Sequence, residues 1–574
     1  MQKAGVLYKI LEEFIEECQQ YDLDIDRNFA YHFVNLLAQD CRDGLNFEEP
    51  ITACKVRQFS RNLIQKYANP LDATVCNLKL CYYYKNCQEL KIQNVQEKYD
   101  SLFKTKLSRL IDDILQYPET CNKEQIEKMF EKMQVFIIAC YNLGCPKNHV
   151  LLKQTKQSLN SVLGHGDLQN YVLKKKYHRL EYLQRLSATV SGILIFNNLS
   201  PTGDKENMRD IRVDLEMAQK NTKATLESSL KKVEACKSYG SSAIENIIQI
   251  NVKHEKVLCY WPLEKVREVS KFVTLYTMYA RFLMQLQEAF EKTSNLISVA
   301  LEKLKCVVDK INDVLKYRTA IESQLIFPHF VFLSDVWQSL VLYFNHLVEI
   351  NTIRDKIESF VNEAIETRFV EIVEQVKTKS QNTNKPTELT FAELMEKTNK
   401  KTQASDLLKI KNYTADYCTL TIALTNGLLV PSILKKNLCE NLNMNFGFHS
   451  FEFGKYAERH IAEYLKAFKN AAFNSIEMIL LFDLEPQILS FEKCLEDVEK
   501  NSPYMESQTQ TEMEIIGDLS VPNRINTTWN KWDFHRETIR LADLRRRQTH
   551  STQSVNSFGQ RNAQNQTYNS RKHF

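Results

Sequence analysis

Three cysteines, Cys76, Cys81 and Cys87, lie close together, and Cys140 and Cys145 form a second group. Thiolates at that density are the side chains best suited to hold zinc, which needs about four ligands converging at tetrahedral geometry. The intervals of four and five intervening residues put them on different faces of a helix. No C-x₂-C knuckle or histidine pair accompanies them, so we expect no metal and read reduced, buried thiols. Phosphate chemistry fares no better. Neither G-x-x-x-x-G-K-[ST] nor G-x-G-x-x-G occurs, and Gly164-His165-Gly166 reads as a turn after a helix. A nucleophile elbow, an H-E-x-x-H helix and an EF-hand loop are also missing. Lys174–Lys176 reads as a solvated face. We therefore expect no catalytic residue, no metal and no cofactor, and a protein that is not an enzyme.

Binding chemistry concentrates near the C-terminus. Residues Arg524 to Phe574 carry ten basic against three acidic side chains, an excess of +7. The whole chain is only +4, so the remainder is −3. That balance is too small to imply nucleic acid, and it points to an acidic partner for the tail. Within it, Thr528 is a plausible N-cap for a helix bearing Trp529, Trp532, Arg536, Arg540 and the run Arg545, Arg546, Arg547. Asp533 and Glu537 lie in its early turns, where the helix dipole favours them. Two readings stand for this helix: packing back on the chain's own bundle, or docking on an acidic surface such as tubulin. Upstream, Gln508-Thr509-Gln510-Thr511 sits in a polar stretch and suits strand addition to a partner's sheet edge. Its core, Thr509, Gln510 and Thr511, resembles the anchor taken by the dimeric eight-kilodalton dynein light chain; an ordinary polar linker is the alternative. Thr552-Gln553-Ser554 is a poorer echo.

These side chains must be carried on elements, and the composition says which. Only 13 glycines and 12 prolines punctuate 574 residues, which favours long helices. Met1 leads directly into an amphipathic stretch rather than a secretory leader, so the fifteen cysteines are expected reduced and the sequons at Asn198, Asn412, Asn526 and Asn565 unused. No apolar run is expected to approach the ~18 residues of a membrane span. Helical faces are legible at Leu7, Ile10, Leu11, Phe14, Ile15 and Cys18; at Phe29, Phe33, Val34 and Leu37; at Val56, Phe59, Leu63 and Ile64; and at Ile126 to Cys140. Charged helical sequence fills Asp204–Val233, Leu263–Leu286 and Leu296–Leu315, followed by Phe327–Val348 and Ile353–Val376. Thr378–Thr390 reads as a linker. Thr419–Leu424 is rich in β-branched residues and precedes Asn426-Gly427, so a hairpin returning through Leu428–Val430 is expected, with Phe446–Phe448 as a further strand and a helix from Ser450. This is the one place where a sheet is expected.

The reading is a mainly α fold: an elongated multi-helix bundle with a small α+β insert near residues 413–473 and a flexible C-terminal tail. Its parts are an N-terminal helical domain (1–165), a central long-helix bundle (166–377), a linker with connecting helix (378–412), a small α+β segment (413–500) and the tail (501–574).

Four segments in this order carry a resemblance. They are Thr189-Val190-Ser191-Gly192-Ile193-Leu194-Ile195-Phe196-Asn197; Phe327-Pro328 through Leu333-Ser334, Trp337 and Leu340; Thr425-Asn426-Gly427-Leu428-Leu429-Val430-Pro431; and Trp529-Asn530-Lys531-Trp532 with Ile539–Arg545. Together they resemble the cilia- and flagella-associated protein 206 family over nearly the whole chain. The resemblance implies a non-catalytic adaptor of the ciliary and flagellar axoneme. Such an adaptor associates with the doublet microtubule and docks the base of radial spoke 2 and inner-arm dynein c, supporting motility. One departure concerns Ser432–Met444, SILKKNLCENLNM, where the family pattern implies a glycine- and aromatic-rich hairpin; an eroded sheet is expected there. The alternative from composition alone is a cytosolic helical tether in membrane traffic, with its basic tail on acidic lipid.

Overall fold

The computed structural model describes residues 2–39, 53–87, 90–118, 122–163, 165–200, 208–316, 321–380, 386–391, 416–438 and 445–485. They belong to one compact unit, Met1–Glu492. Among them are seventeen helices and five short strands. The N-terminal helices are α1 (Gln2–Gln20), α2 (Arg27–Gln39), α3 (Ala53–Ala68), α4 (Ala73–Lys85), α5 (Ile92–Leu115), α6 (Lys123–Cys140), α7 (His149–Val162) and α8 (His165–Val172). The faces read from the sequence are the buried ones: Leu7, Ile10, Leu11, Phe14 and Cys18 on α1, and Phe29, Phe33, Val34 and Leu37 on α2. Phe14 and Phe33 stack at 5.5 Å. Asn122 and Gln125 form a reciprocal capping box that starts α6.

The long elements are α9 (Lys176–Leu199), α10 (Ile211–Ile247), α11 (Leu263–Leu315), α12 (Ser323–Phe360) and α13 (Glu363–Ser380). α11 is continuous over 53 residues where the sequence suggested two pieces. At 1.5 Å per residue it is roughly 80 Å long. Its spacing explains its packing. Val266, Val269, Val273, Tyr276, Ala280 and Leu283 are buried at alternating intervals of three and four. Leu283 to Leu286 repeats a three, and the alternation resumes through Phe290, Thr293, Ile297, Ala300, Leu304, Val307 and Ile311. That repeated three is a stammer, which shifts the buried seam around the helix. Beyond it only the seam is buried, as in a coiled coil; before it, α11 is enclosed on nearly every side.

α12 corrects one expectation. It is long and apolar enough to cross a membrane by length and composition, alone in this among the described residues. Here it is a bundle helix against which α9, α10 and α11 pack. Its Trp337 is fully buried, and the indole N–H donates to the Tyr141 carbonyl at 3.0 Å.

Two further expectations fail. Sheet is not confined to the insert: β1 (Ile248–Asn251) and β2 (Lys256–Cys259) form a hairpin between α10 and α11, and β3 (Thr387–Thr390) pairs antiparallel with β2. The stretch read as a linker therefore supplies the end of α13 and a strand. Thr419–Thr425 is a helix, α14, not a strand. All seven of its residues are buried, so it shows no period to tell helix from strand. Asn426 then adopts the left-handed conformation (φ 56°) that ends a helix, and its N–H bonds back to the Ile422 carbonyl. Asn-Gly marks a helix stop here, not a hairpin. The hairpin lies later, in β4 (Leu434–Asn437) paired with β5 (Asn445–Phe448): β4 stands in the stretch expected to be eroded, and β5 holds the strand expected at Phe446–Phe448. Ser450 caps α15 (Phe451–Arg459), and α16 (Ile461–Phe473) and α17 (Ile476–Leu481) follow.

Candidate functional site

The residues singled out for binding, Thr509, Gln510, Thr511, Trp529, Trp532, Arg536, Arg540, Arg545, Arg546 and Arg547, lie outside the described residues. What the structure shows is the anchor at the last described stretch, residues 475–485. Ser475 caps α17 by accepting from Met478 N at 3.3 Å. In the first turn of that helix, the buried Glu477 carboxylate accepts from Thr74 Oγ1 at 2.6 Å and Ser475 Oγ at 3.0 Å, with Lys271 Nζ at 3.8 Å. Burial alone would push this carboxyl up. The Lys271 ammonium and the two hydroxyls outweigh it and hold the group below its ordinary value.

Further along, Lys85 at the end of α4 bridges Asp483 at 2.8 Å and Glu485 at 2.5 Å. Arg281 of α11 donates to the Leu481 carbonyl at 3.0 Å. Three other bonds tie α11 to α14 and its flanks: Ser270 to Gly427 O at 3.0 Å, Arg267 to Thr425 O at 3.3 Å and the short Thr277–Tyr417 hydroxyl pair. The cation over the Tyr417 ring, Lys237 of α10, completes the set. The carboxylates are committed to partners rather than poised for proton transfer. As an arrangement this is a clamp: it fixes the end of the body against both the first and the central helices.

The eleven described cysteines are all free thiols. Burial pushes Cys76 up to about 11 and Cys81 higher still, the opposite of an activated nucleophile or a ready metal ligand. Among the described residues, no three histidine, cysteine or acidic side chains converge as a metal site. Lys174 lies over the Tyr182 ring at 4.2 Å, and Lys176 pairs with Asp112 at 3.4 Å, so the lysine run is surface as read. No local pattern marks the clamp. Thr74 and Glu477 are 403 residues apart, and only Ser475, two residues before an acid and an apolar run, was a local sign of the helix start.

The FAP206 family profile, described as a domain of unknown function, matches residues 214–489, from the first turn of α10 to beyond α17. Among curated proteins, the chain is 21% identical to cilia- and flagella-associated protein 206 of Bos taurus, 22% to that of Rattus norvegicus and 21% to that of Homo sapiens. Each similarity covers 99% of this chain and 92% of the relative. No solved structure matches.

Proposed function

Because the chain belongs to the cilia- and flagella-associated protein 206 family, we propose that it is a non-catalytic scaffold of the ciliary and flagellar axoneme. In this reading it associates with doublet microtubules and docks radial spoke 2 and inner-arm dynein c, and so supports beating. The observation that carries the reading is similarity running the length of the chain to relatives whose name places them with cilia and flagella. The fold is compatible with such a task. A helix of 53 residues gives reach, and the clamp holds residues 475–485 on the body. Tail contacts would rest on Trp529, Trp532 and the arginines from Arg536 to Arg547 against acidic tubulin, with Thr509–Thr511 offered to a dynein light chain.

The test is placement in a living cell. A fluorescent fusion expressed in a cell with motile cilia should concentrate along the axoneme, survive detergent extraction of the membrane, and restore beating where the endogenous copy is deleted. A signal that stays diffuse, or that leaves with the detergent-soluble membranes, sinks the proposal.

A further inference from the structure

A groove of about 590 Å³ lies where α2, α3 and α4 meet α5 and the second half of α12. Its size is that of a ligand or peptide site. Aromatic rings dominate the walls: Phe29, Tyr67, Tyr82 and Tyr83 from the N-terminal helices, and Phe360 from α12. Tyr83 and Phe360 meet edge to face at 5.8 Å across the seam.

The charges in the groove are unequally engaged. Asp26 accepts from Phe29 N at 3.0 Å and from the Tyr82 hydroxyl at 3.2 Å. Glu349 takes Lys98 at 3.0 Å and the Tyr99 hydroxyl at 3.2 Å. Both acids are therefore satisfied from within. The two remaining lysines are not matched by acids. Lys79 lies over the Tyr67 ring at 4.3 Å and Lys356 over the Phe360 ring at 5.3 Å, and among the described residues no carboxylate pairs with either. Burial draws the Lys79 ammonium below its ordinary range, so its charge is held at a cost that an incoming carboxylate would offset.

We propose that this groove is a docking site for an acidic polypeptide segment, whose carboxylates meet Lys79 and Lys356 from opposite walls while its backbone and apolar groups lie on the tyrosine and phenylalanine rings. The geometry favours carboxylates over phosphate. The one helix N-terminus facing the groove, that of α2, is already capped by Asp26, so no cluster of open backbone amides is present to cradle a phosphate. The proposal concerns the folded body and does not rest on the tail.

The test uses the full chain and a fluorescein-labelled peptide of six glutamates around one tyrosine, followed by anisotropy at near-physiological salt. Parent and variant both carry Arg545, Arg546 and Arg547 changed to Ala, so that the basic tail does not supply the signal. Changing Lys79→Met and Lys356→Met together should weaken binding by about tenfold through the loss of two lysine–carboxylate pairs. The single reversal Lys356→Glu, on an exposed position, should weaken it as well and guards against a folding defect at Lys79. Unlabelled ATP at matched concentration should not displace the peptide. Absent binding by the parent, equal binding by the lysine variants, or displacement by ATP would each overturn the assignment. None of these outcomes bears on axonemal placement, which the fusion protein tests separately.

Discussion

Glu477 shows how a single residue in this protein acts as structure and not as chemistry. Its carboxylate is buried, yet it stays charged because Thr74, Ser475 and Lys271 surround it. A carboxyl whose folded value is depressed adds stability above its unfolded value, here near 4.5, and loses it as pH falls through the lower folded value. Glu477→Gln keeps the shape and one acceptor but removes the charge that Lys271 faces. We expect it to cost about 1–3 kcal/mol at neutral pH. The deficit relative to the parent should shrink as pH drops below 4.5, where the parent carboxylate takes up its proton. Thermal melts of both proteins from pH 7 to pH 3 check this, and a deficit that stays constant with pH would rule the charge out as the cause. His346 adds to acid sensitivity in the same direction. Burial holds its imidazole below the ordinary value, with Nδ1 at the Thr293 hydroxyl (2.7 Å) and Nε2 at the Leu90 carbonyl (3.2 Å). Stability from that neutral ring is complete above about pH 6.5 and declines as pH falls toward the folded value. Apart from Ser475, two residues from Glu477, these partners are far apart in sequence, so residue types are legible there but their pairing is not.

At the scale of elements, the crossing of α9 and α12 depends on one glycine. A Cβ at Gly192 would sit 2.0 Å from the Phe330 carbonyl oxygen, which is backbone and cannot swing aside. The preceding turn of that face is small, with Ala188 and Thr189 buried, and the Thr189 hydroxyl is satisfied within the helix by the Arg185 carbonyl at 3.0 Å; one turn on, Phe196 packs edge to face on Phe330 at 5.9 Å. Gly192→Ala improves helix propensity by about 1 kcal/mol but forces the helices apart. Overpacking of this kind costs about 1–3 kcal/mol, and because the contact is with main chain we expect the upper end, a net loss of about 2 kcal/mol after the propensity gain. Chemical denaturation would show it; an unchanged midpoint would mean that separating the helices costs no more than the propensity gain returns. Elements of this sort were the legible part of the fold. Amphipathic faces with an unbroken 3.6 period, such as Leu7 to Cys18 on α1, can be read directly because one side is wet. The failures share a cause. α14 is buried on every side, so its β-branched content outvoted a period that does not exist there. β1, β2 and β3 are four residues each, too short to show alternation, and β2 gains its second partner from a strand more than a hundred residues away. The stammer in α11 is written in the sequence, but only the buried seam reveals which apolar positions count.

The whole molecule divides its charge, and that division is the basis for the last expectation. Residues Arg524 to Phe574 hold an excess of +7, while the rest of a +4 chain is net negative. A net-negative body would be repelled by an acidic filament at long range, so on the proposed reading attachment to a microtubule would come from the basic tail or from close surface fit. These two sources respond differently to salt. Exposed charge pairs are screened over a Debye length of about 8 Å at physiological ionic strength and about 3 Å at 1 M, whereas apolar contact is not. Changing Arg545, Arg546 and Arg547 to Ala removes three charges, each worth up to about 1 kcal/mol against an acidic partner, so affinity should fall by roughly tenfold or more. Co-sedimentation with microtubules at 0.05 and 0.15 M salt should show the loss, with the gap between variant and parent closing as salt rises toward 0.5 M. Equal pelleting at every salt concentration would place the contact elsewhere, on the body or on Trp529 and Trp532, and the tail arginines would then have no part in attachment.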